Sequence, residues 1–370
     1  MTVELERIDF VLPEELSATR PPEARGLARD EVRLMVCAGG TVAHARFREL
    51  PAYLRPGDLV VVNNSAMLSA ALDVRYRDRP AVLHFSTRLD NGDWAVELRD
   101  PHGTPWAGPA PEPGARVQLP DGRTALLRRP WLPRSNRLWV AGIEPGPASR
   151  RNDEVGAEAV EVAELLARHG RPITYSYVPE RWSASFYRTV FGLRPGSAEM
   201  PSAGRPFTEA LVTELVAGGV GVAPITLHTG VSSPEAGEPP SPERFEVPDV
   251  TARLVNATHA VGGRVIAVGT TVTRALESAT DADGSVHPAA GWTELVLDGS
   301  RPARAVDGLI TGWHAPGASH LHLLESVAGA QVVRAAYRAA LESGYLWHEF
   351  GDTALLFRDG PAVEGCEPVF

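Results

Sequence analysis

The run RVIAVGTTVTRALES at residues 264–278 constrains this chain most. Its apolar stretch 265–268 ends in Gly269-Thr270-Thr271, and a helix-like segment follows with Arg274 and Glu277 three residues apart. A strand feeding such a turn and then a helix leaves backbone N–H groups and two hydroxyls at a helix N-terminus, where a carboxylate or phosphate is well seated. The alternation continues along this half of the chain. Helix 208–217 leads to strand 220–227, helix 250–260 leads through Gly262-Gly263 to strand 264–268, and helix 271–279 leads to strand 294–297. With the buried-strand run 59–62, this predicts an α/β layer or barrel of mostly parallel strands.

Between residues 73 and 146 the pattern changes. VRYRD, AVLHFSTR, DWAVELRD, ARVQL, TALLRR and RLWVAGI are short alternating or β-branched runs, broken at Asp90-Asn91-Gly92 and Asp121-Gly122. Such spacing predicts a small antiparallel β domain, a barrel, inserted into the larger one. The expected organisation is therefore a discontinuous, barrel-like α/β domain (1–72 and 147–370) carrying an inserted β-barrel (73–146). A helix over 153–169 follows the insert, with Gly170 past its end. Residues 232–243 (SSPEAGEPPSPE) read as a solvated loop or a lid.

The 370 residues carry 44% hydrophobic and 22% charged side chains, ordinary for a globular protein with a large core. No apolar run approaches the ~20 residues that cross a bilayer, and the acidic first 20 residues lack a signal-peptide core. A cytoplasmic protein with no membrane partner is expected. Cys37 and Cys366 form neither a disulfide framework nor a thiolate metal site. A net charge of −10 argues against broad nucleic-acid binding but leaves room for a local basic patch.

Four clusters bear chemistry. In ITLHTG (225–230), His228 follows a strand, where open α/β folds place their ligands, or else caps a turn. In VDGLITGWHAPGASH (306–320), Asp307 and His314 flank an apolar hinge, with Trp313 beside the histidine; on a loop lip His314 would accept a proton near neutral pH, while Asp307 would otherwise cap a turn. His320 and His322 have no third spaced ligand, so no metal is expected. In PSAGRPFTE (201–209), Ser202 to Gly204 allow close approach of a flat ligand, or form an ordinary helix entry. The stretch 128–151 holds Arg128, Arg129, Arg134, Arg137, Arg150 and Arg151 with Trp131 and Trp139 interleaved. It suits an RNA backbone and unstacked bases, or an edge strand protected by arginine.

Taken in order, these clusters resemble the S-adenosylmethionine:tRNA ribosyltransferase-isomerase (QueA) family. The resemblance runs nearly the full length, through FVLPEEL (10–16), RDEVRLMV (29–36), GDLVVVNNSAML (57–68), WAVELRDP (94–101), FYRTVF (186–191), PSAGRPFTEAL, TLHTG, GGRVIAVGTTVTRALES, GWTELVL, the 307–314 segment and FGDTALLF (350–357). It implies an α/β barrel-like domain with an inserted β-barrel. It also implies transfer and isomerisation of the ribosyl part of S-adenosylmethionine onto 7-aminomethyl-7-deazaguanine at the tRNA anticodon wobble position. Epoxyqueuosine forms, adenine and methionine leave, and S-adenosylmethionine is a co-substrate with no other cofactor and no metal.

A sulfonium acidifies the neighbouring ribose CH₂, and the acceptor's aminomethyl nitrogen, with a pKa of ~10, must lose a proton before it attacks. The resemblance makes His228 and His314 the candidates for proton transfer and Asp307 the orienter. Gly269, Thr270, Thr271 and Arg274 are assigned to the methionine carboxylate, although Arg274 and Glu277 could be a plain ion pair. Ser202, Gly204 and Tyr175 are further substrate-binding candidates, and Arg128, Arg129, Arg134 and Arg137 are RNA-binding candidates. The chain departs from the family pattern at Asn64 and Ala66 (Asp and Arg), Ala71 (Arg), Pro206 (His) and Gly317 (Lys). These losses of charge leave three readings: the tRNA-modifying enzyme, a paralogue with the same pocket and a small-molecule acceptor, or a non-catalytic adenosyl-ligand or RNA-binding protein.

Overall fold

A computed structural model describes residues 10–132, 135–146, 157–175, 177–231 and 240–358. In chain order the strands are β1 (Arg33–Ala38), β2 (Thr41–Arg46), β3 (Leu59–Asn63), β4 (Ser65–Met67), β5 (Ala71–Tyr76), β6 (Arg79–Arg88), β7 (Trp94–Arg99), β8 (Ala115–Gln118), β9 (Thr124–Leu132), β10 (Ser135–Glu144), β11 (Arg194–Ser197), β12 (Gly221–His228), β13 (Glu243–Val247), β14 (Val265–Val268), β15 (Ala289–Thr293), β16 (Gly308–Gly312) and β17 (Thr353–Phe357). The helices are α1 (Ala157–His169), α2 (Glu209–Ala217), α3 (Asp249–Ala260), α4 (Thr270–Ser278), α5 (His320–Ala328) and α6 (Ala330–Glu342).

Nine strands form one sheet in the order β15-β13-β12-β3-β14-β16-β17-β1-β2. The central run β12-β3-β14-β16 is parallel throughout. The flanks mix in antiparallel pairs: β13 with β12 and β15, β17 with β16, and β2 with β1. Parallel strands in the middle are covered on both faces, so they read as unbroken apolar runs. Strand periodicity then divides each run. Leu59 and Val61 of β3, with Val265 and Ala267 of β14, enter the core packed under α4, α5 and α6. Val60 and Val62, with Ile266 and Val268, enter the opposite core with Phe207, Leu211 and Leu215.

The insert is a closed six-stranded antiparallel barrel, ordered β10-β7-β6-β5-β8-β9. Its interior holds Leu72, Phe85, Val96 and Trp139, and Val162, Leu165 and Leu166 of α1 join the same core. The β5–β6 turn consists of Arg77 and Asp78, both at positive φ (47° and 61°). That is the two-residue hairpin geometry usually supplied by Asn-Gly, and here no glycine announces it.

One expected element moves. The strand anticipated at 294–297 is instead β15, Ala289–Thr293, paired with β13 from Val247↔Ala289 to Glu243↔Thr293. Leu295 and Leu297 are apolar because they pack into the main core, which the alternation in the sequence reported without saying in what conformation. Of the helix expected over 153–169, residues 153–156 lie outside the described residues, as does most of the loop expected at 232–243, whose last residue, Glu243, opens β13. Cys37 is buried and unpaired, with its thiol pushed up to about 12 by burial; Cys366 lies outside the described residues. Among the described residues, no helix is long and apolar enough to cross a membrane.

Candidate functional site

The parallel strands β12, β3, β14 and β16 bring their C-terminal ends to one side of the sheet, the side on which such sheets bind ligands. A cleft with a cavity volume of about 200 Å³ lies there. One wall is the start of α4: Gly269, Thr270 and Thr271 line the cleft, and no side chain caps the helix. Gly269 has φ 94°, so the backbone conformation calls for glycine, while a Cβ there would meet only ordinary contact with Ala203. The Gly269 N–H is taken by the Ile310 carbonyl at 2.8 Å, while Thr270 and Thr271 begin the helix at the cleft, where a helix N-terminus can receive an anion. Ser202 and Ala203 close the edge of this wall.

The facing wall is aromatic. Tyr175 stacks on Tyr177 (centroids 5.7 Å, interplanar 16°), and Tyr177 stacks on His348 (4.0 Å, 14°). All three line the cleft. A layered face of this kind offers a flat heterocycle a stacking surface. His348 has φ 73°, a left-handed conformation that costs a non-glycine residue of order 1–3 kcal/mol and clusters at functional sites. The turn is tight, since a Cβ on Gly351 would come within 2.3 Å of the Leu346 carbonyl. It turns His348 and Glu349 toward the cleft.

Glu349 accepts a hydrogen bond from the Tyr177 hydroxyl at 2.9 Å through Oε2. Its Oε1 is buried and has no partner among the described residues. Burial pushes the carboxyl up to about 7, against the Tyr177 hydrogen bond and the Arg205 charge, which pull it down. Burial and the neighbouring Glu349 raise Tyr177 well above the usual phenol range, so it remains a donor. Other lining groups also lack partners: the hydroxyls of Tyr175, Tyr187 and Thr229 and the indole N–H of Trp313. Buried polar atoms are ordinarily satisfied, so these groups hold hydrogen-bonding capacity that a ligand in the cleft could use.

The structure sorts the sequence candidates. It brings Gly269, Thr270, Thr271, Ser202, Tyr175 and His314 to the cleft. Gly204 lies just behind, facing Phe191 and Thr189. His228 stands at the end of β12 with Nδ1 2.8 Å from Ser65 Oγ, in a chain that continues to Ser197 Oγ at 2.6 Å; its neighbour Thr229 lines the cleft instead. Burial, with Arg244 and Arg194 nearby, holds its imidazole below the usual range.

Two candidates are displaced. Asp307 precedes β16 and therefore sits at the other end of the sheet, bonded to His259 Nε2 and the Val265 N–H, both at 2.9 Å. It cannot orient a group in the cleft. Arg274 turns away from the anion seat and is buried in an ion pair with Glu243, with further bonds to the Leu295 and Thr293 carbonyls. Its expected alternative partner, Glu277, accepts instead from the Arg304 and Ala305 N–H groups.

His314 is in the cleft but not as a free lip residue. Its Nε2 lies 3.1 Å from Thr311 Oγ1, and its ring stacks on His320 (4.4 Å, 2°). Burial, then the neighbouring His320 and His348, drives it well below the usual imidazole range. His320 is lowered to about 4 by burial and the Arg274 charge, and His348 to about 4 by burial. Burial thus weakens all three as bases and holds their imidazoles toward the neutral form. Among the described residues, no group of three or more His, Cys, Asp or Glu could hold a metal ion.

Sequence reasoning missed Tyr177, His348 and Glu349. The signal was the WHEF run at 347–350, directly beside the recognised FGDTALLF segment. Pro206, where the family pattern has histidine, lines a small cleft with His348 and Glu349, so titratable groups reach this spot from another segment.

Two arginines of the basic stretch are paired. Arg137 pairs with Glu97 at 3.0 Å inside the barrel, and Arg128 lies 3.3 Å from Asp93. Arg129 donates to the Pro130 carbonyl at 3.4 Å and is exposed. Arg134, Arg150 and Arg151 lie outside the described residues.

Comparison with known proteins adds to this geometry. Residues 5–356 match the family described as "Queuosine biosynthesis protein". An S-adenosylmethionine:tRNA ribosyltransferase-isomerase of Methylobacterium sp. (strain 4-46) is 35% identical over 95% of this chain and 97% of its own length. The protein of that name from Symbiobacterium thermophilum is 33% identical over 95% and 99%. The crystal structure of the S-adenosylmethionine tRNA ribosyltransferase from Thermotoga maritima is 26% identical, with a TM-score of 0.51 over 94% of this chain and 99% of that one. The inserted barrel, the large sheet and the full-length match lead to one conclusion: this chain belongs to the queuosine biosynthesis protein family.

Proposed function

We propose that this chain transfers and isomerises the ribosyl part of S-adenosylmethionine onto 7-aminomethyl-7-deazaguanine in the tRNA anticodon loop, releasing adenine and methionine. The observation that carries this reading is the pairing of an uncapped helix N-terminus with an aromatic wall across one cleft. The α4 N-terminus suits the methionine carboxylate, and the Tyr175–Tyr177–His348 stack suits a flat base. The neutral His314 and His320 add hydrogen-bonding capacity without a competing positive charge beside a sulfonium.

Incubation with S-adenosylmethionine and a tRNA bearing the aminomethyl base should release adenine and methionine and increase the nucleoside's mass. Adenine release that ignores the tRNA would overturn the acceptor assignment. A small-molecule acceptor is the second reading, and the pairing of Arg128 and Arg137 with barrel carboxylates favours it. Phosphate affinity follows the number of free cations, with a slope of about −0.7 to −0.9 per contact. If tRNA crosses the barrel here, R128A/R129A should flatten the dependence of log K on log salt by about one to two. An unchanged slope removes this face from the RNA path.

A further inference from the structure

We propose that Glu349, aligned by Tyr177, is the general base that takes a proton from the acceptor's ammonium group. This rests on the amine-acceptor reading above. Three observations support it. Oε2 is fixed by the Tyr177 hydroxyl at 2.9 Å, while Oε1 is buried and unpartnered among the described residues. Among the described residues, those lining the cleft include no lysine or arginine, and Arg205, whose charge reaches Glu349 from behind, is committed to Glu23, so the unpartnered oxygen is open to a cation brought by a substrate. The left-handed backbone of His348 holds the turn that delivers Glu349.

The chemistry selects among the possible cations. A sulfonium has no proton on its charged atom to donate. The α-ammonium of the methionine part needs only to be held, which an ordinary carboxylate does equally well. The acceptor ammonium must be deprotonated, and a base that titrates near the working pH suits that task. An alkylammonium near ~10.4 gives its proton to a carboxyl near 7 at an unfavourable ratio of about a thousand, accessible to a catalysed step. The N–H bond breaks, its electron pair remains on nitrogen as the attacking lone pair, and the proton moves to Oε1. The neutral acid returns it to solvent once product leaves.

The titratable groups facing Glu349 are Tyr177, Tyr187 and Arg205, with His348 beside it in sequence. Arg205 is committed to Glu23 at 2.6 Å and to the Phe186 carbonyl at 2.8 Å. Asp352, on the same turn, is paired with Arg33. Glu199 and His314 also line the cleft; Glu199 already has an interaction of its own.

The test is the pH profile of kcat/KM for the acceptor tRNA, with calorimetric S-adenosylmethionine binding measured alongside. The wild type should lose activity below an apparent pKa near 7. E349Q should lower the rate about 10²–10⁴-fold and remove that acid limb, with S-adenosylmethionine affinity changed less than about threefold. Y177F keeps the carboxylate but removes a bond that favours its charged form, so its acid limb should move to higher pH. E349Q with near-normal rates and an intact limb overturns the proposal. So does a defect confined to S-adenosylmethionine affinity. A wild-type protein that consumes no S-adenosylmethionine instead overturns the functional reading, and the proposal with it.

Discussion

Glu97→Gln should destabilise the inserted barrel by about 3–5 kcal/mol at neutral pH, the scale seen when one partner of a buried ionic cluster is removed. Glu97 is 2% exposed on β7. Arg99 reaches its Oε1 at 2.9 Å and Arg137 at 3.0 Å, and His84 Nδ1 stands 3.8 Å from Oε2, in ion-pair rather than hydrogen-bond range. A neutral amide would leave two guanidinium groups inside the barrel without their shared anion. Although burial pushes the Glu97 carboxyl up, His84, Arg137 and Arg99 together hold it below the usual range. A depressed carboxyl stabilises the fold above its unfolded-state value and loses that contribution as pH falls through its folded one. The barrel should therefore tolerate mild acid and open only below the ordinary carboxylate range. Urea unfolding of E97Q followed by far-UV dichroism checks the magnitude. R129A, an exposed change on the same barrel, should stay within about 0.5 kcal/mol of wild type. An E97Q protein within 1 kcal/mol of wild type would show that the cluster is not holding the barrel together.

Glu349→Gln should do the reverse, stabilising the protein while disabling it. A carboxyl raised from 4.5 to about 7 binds its proton more tightly in the folded state than in the unfolded chain. Its cost to folding is absent below the unfolded value, grows as pH rises between the two, and is fully present above the folded one. The gap corresponds to about 3 kcal/mol. At pH 8 E349Q should therefore melt above wild type, and at pH 4 the two should coincide. A gain of stability with loss of turnover is the signature of a group retained for chemistry at the expense of folding. Equal melting temperatures at pH 8 would show that Glu349 is solvated and not the strained, desolvated acid described above.

The contrast between these carboxylates explains how the chain distributes its buried charge. In the barrel, Glu97 is surrounded by cations and serves structure. In the cleft, Glu349 has a phenol on one oxygen and nothing on the other. The same reasoning disposes of Arg274: its partner Glu243 arrives from β13, one strand in from the edge of the main sheet, and removes a guanidinium from what the helix alone would have offered to a ligand.

Much was legible without coordinates. Helix and strand periods, Gly269 before α4 and the turn signals of the insert determined an α/β chain carrying a β-barrel, because burial on one or two faces imposes the apolar spacing directly. The Gly269-Thr270-Thr271 turn at the start of α4 was local in sequence, and so its place at the strand ends could be read from it. The assignments that failed were those that depended on distance. Asp307 and His314 are seven residues apart, and strand β16 between them carries them to opposite ends of the sheet. His314 was expected on a loop lip, whereas the fold buries it in the cleft against His320 and lowers its basicity. Tyr177 and Glu349, 172 positions apart, meet at 2.9 Å only because two separate segments close over the same strand ends. Local pattern determined the scaffold and one wall of the cleft. Desolvation and pairing across the fold decided which ionisable groups were left unspent, since both depend on neighbours that sequence spacing does not specify.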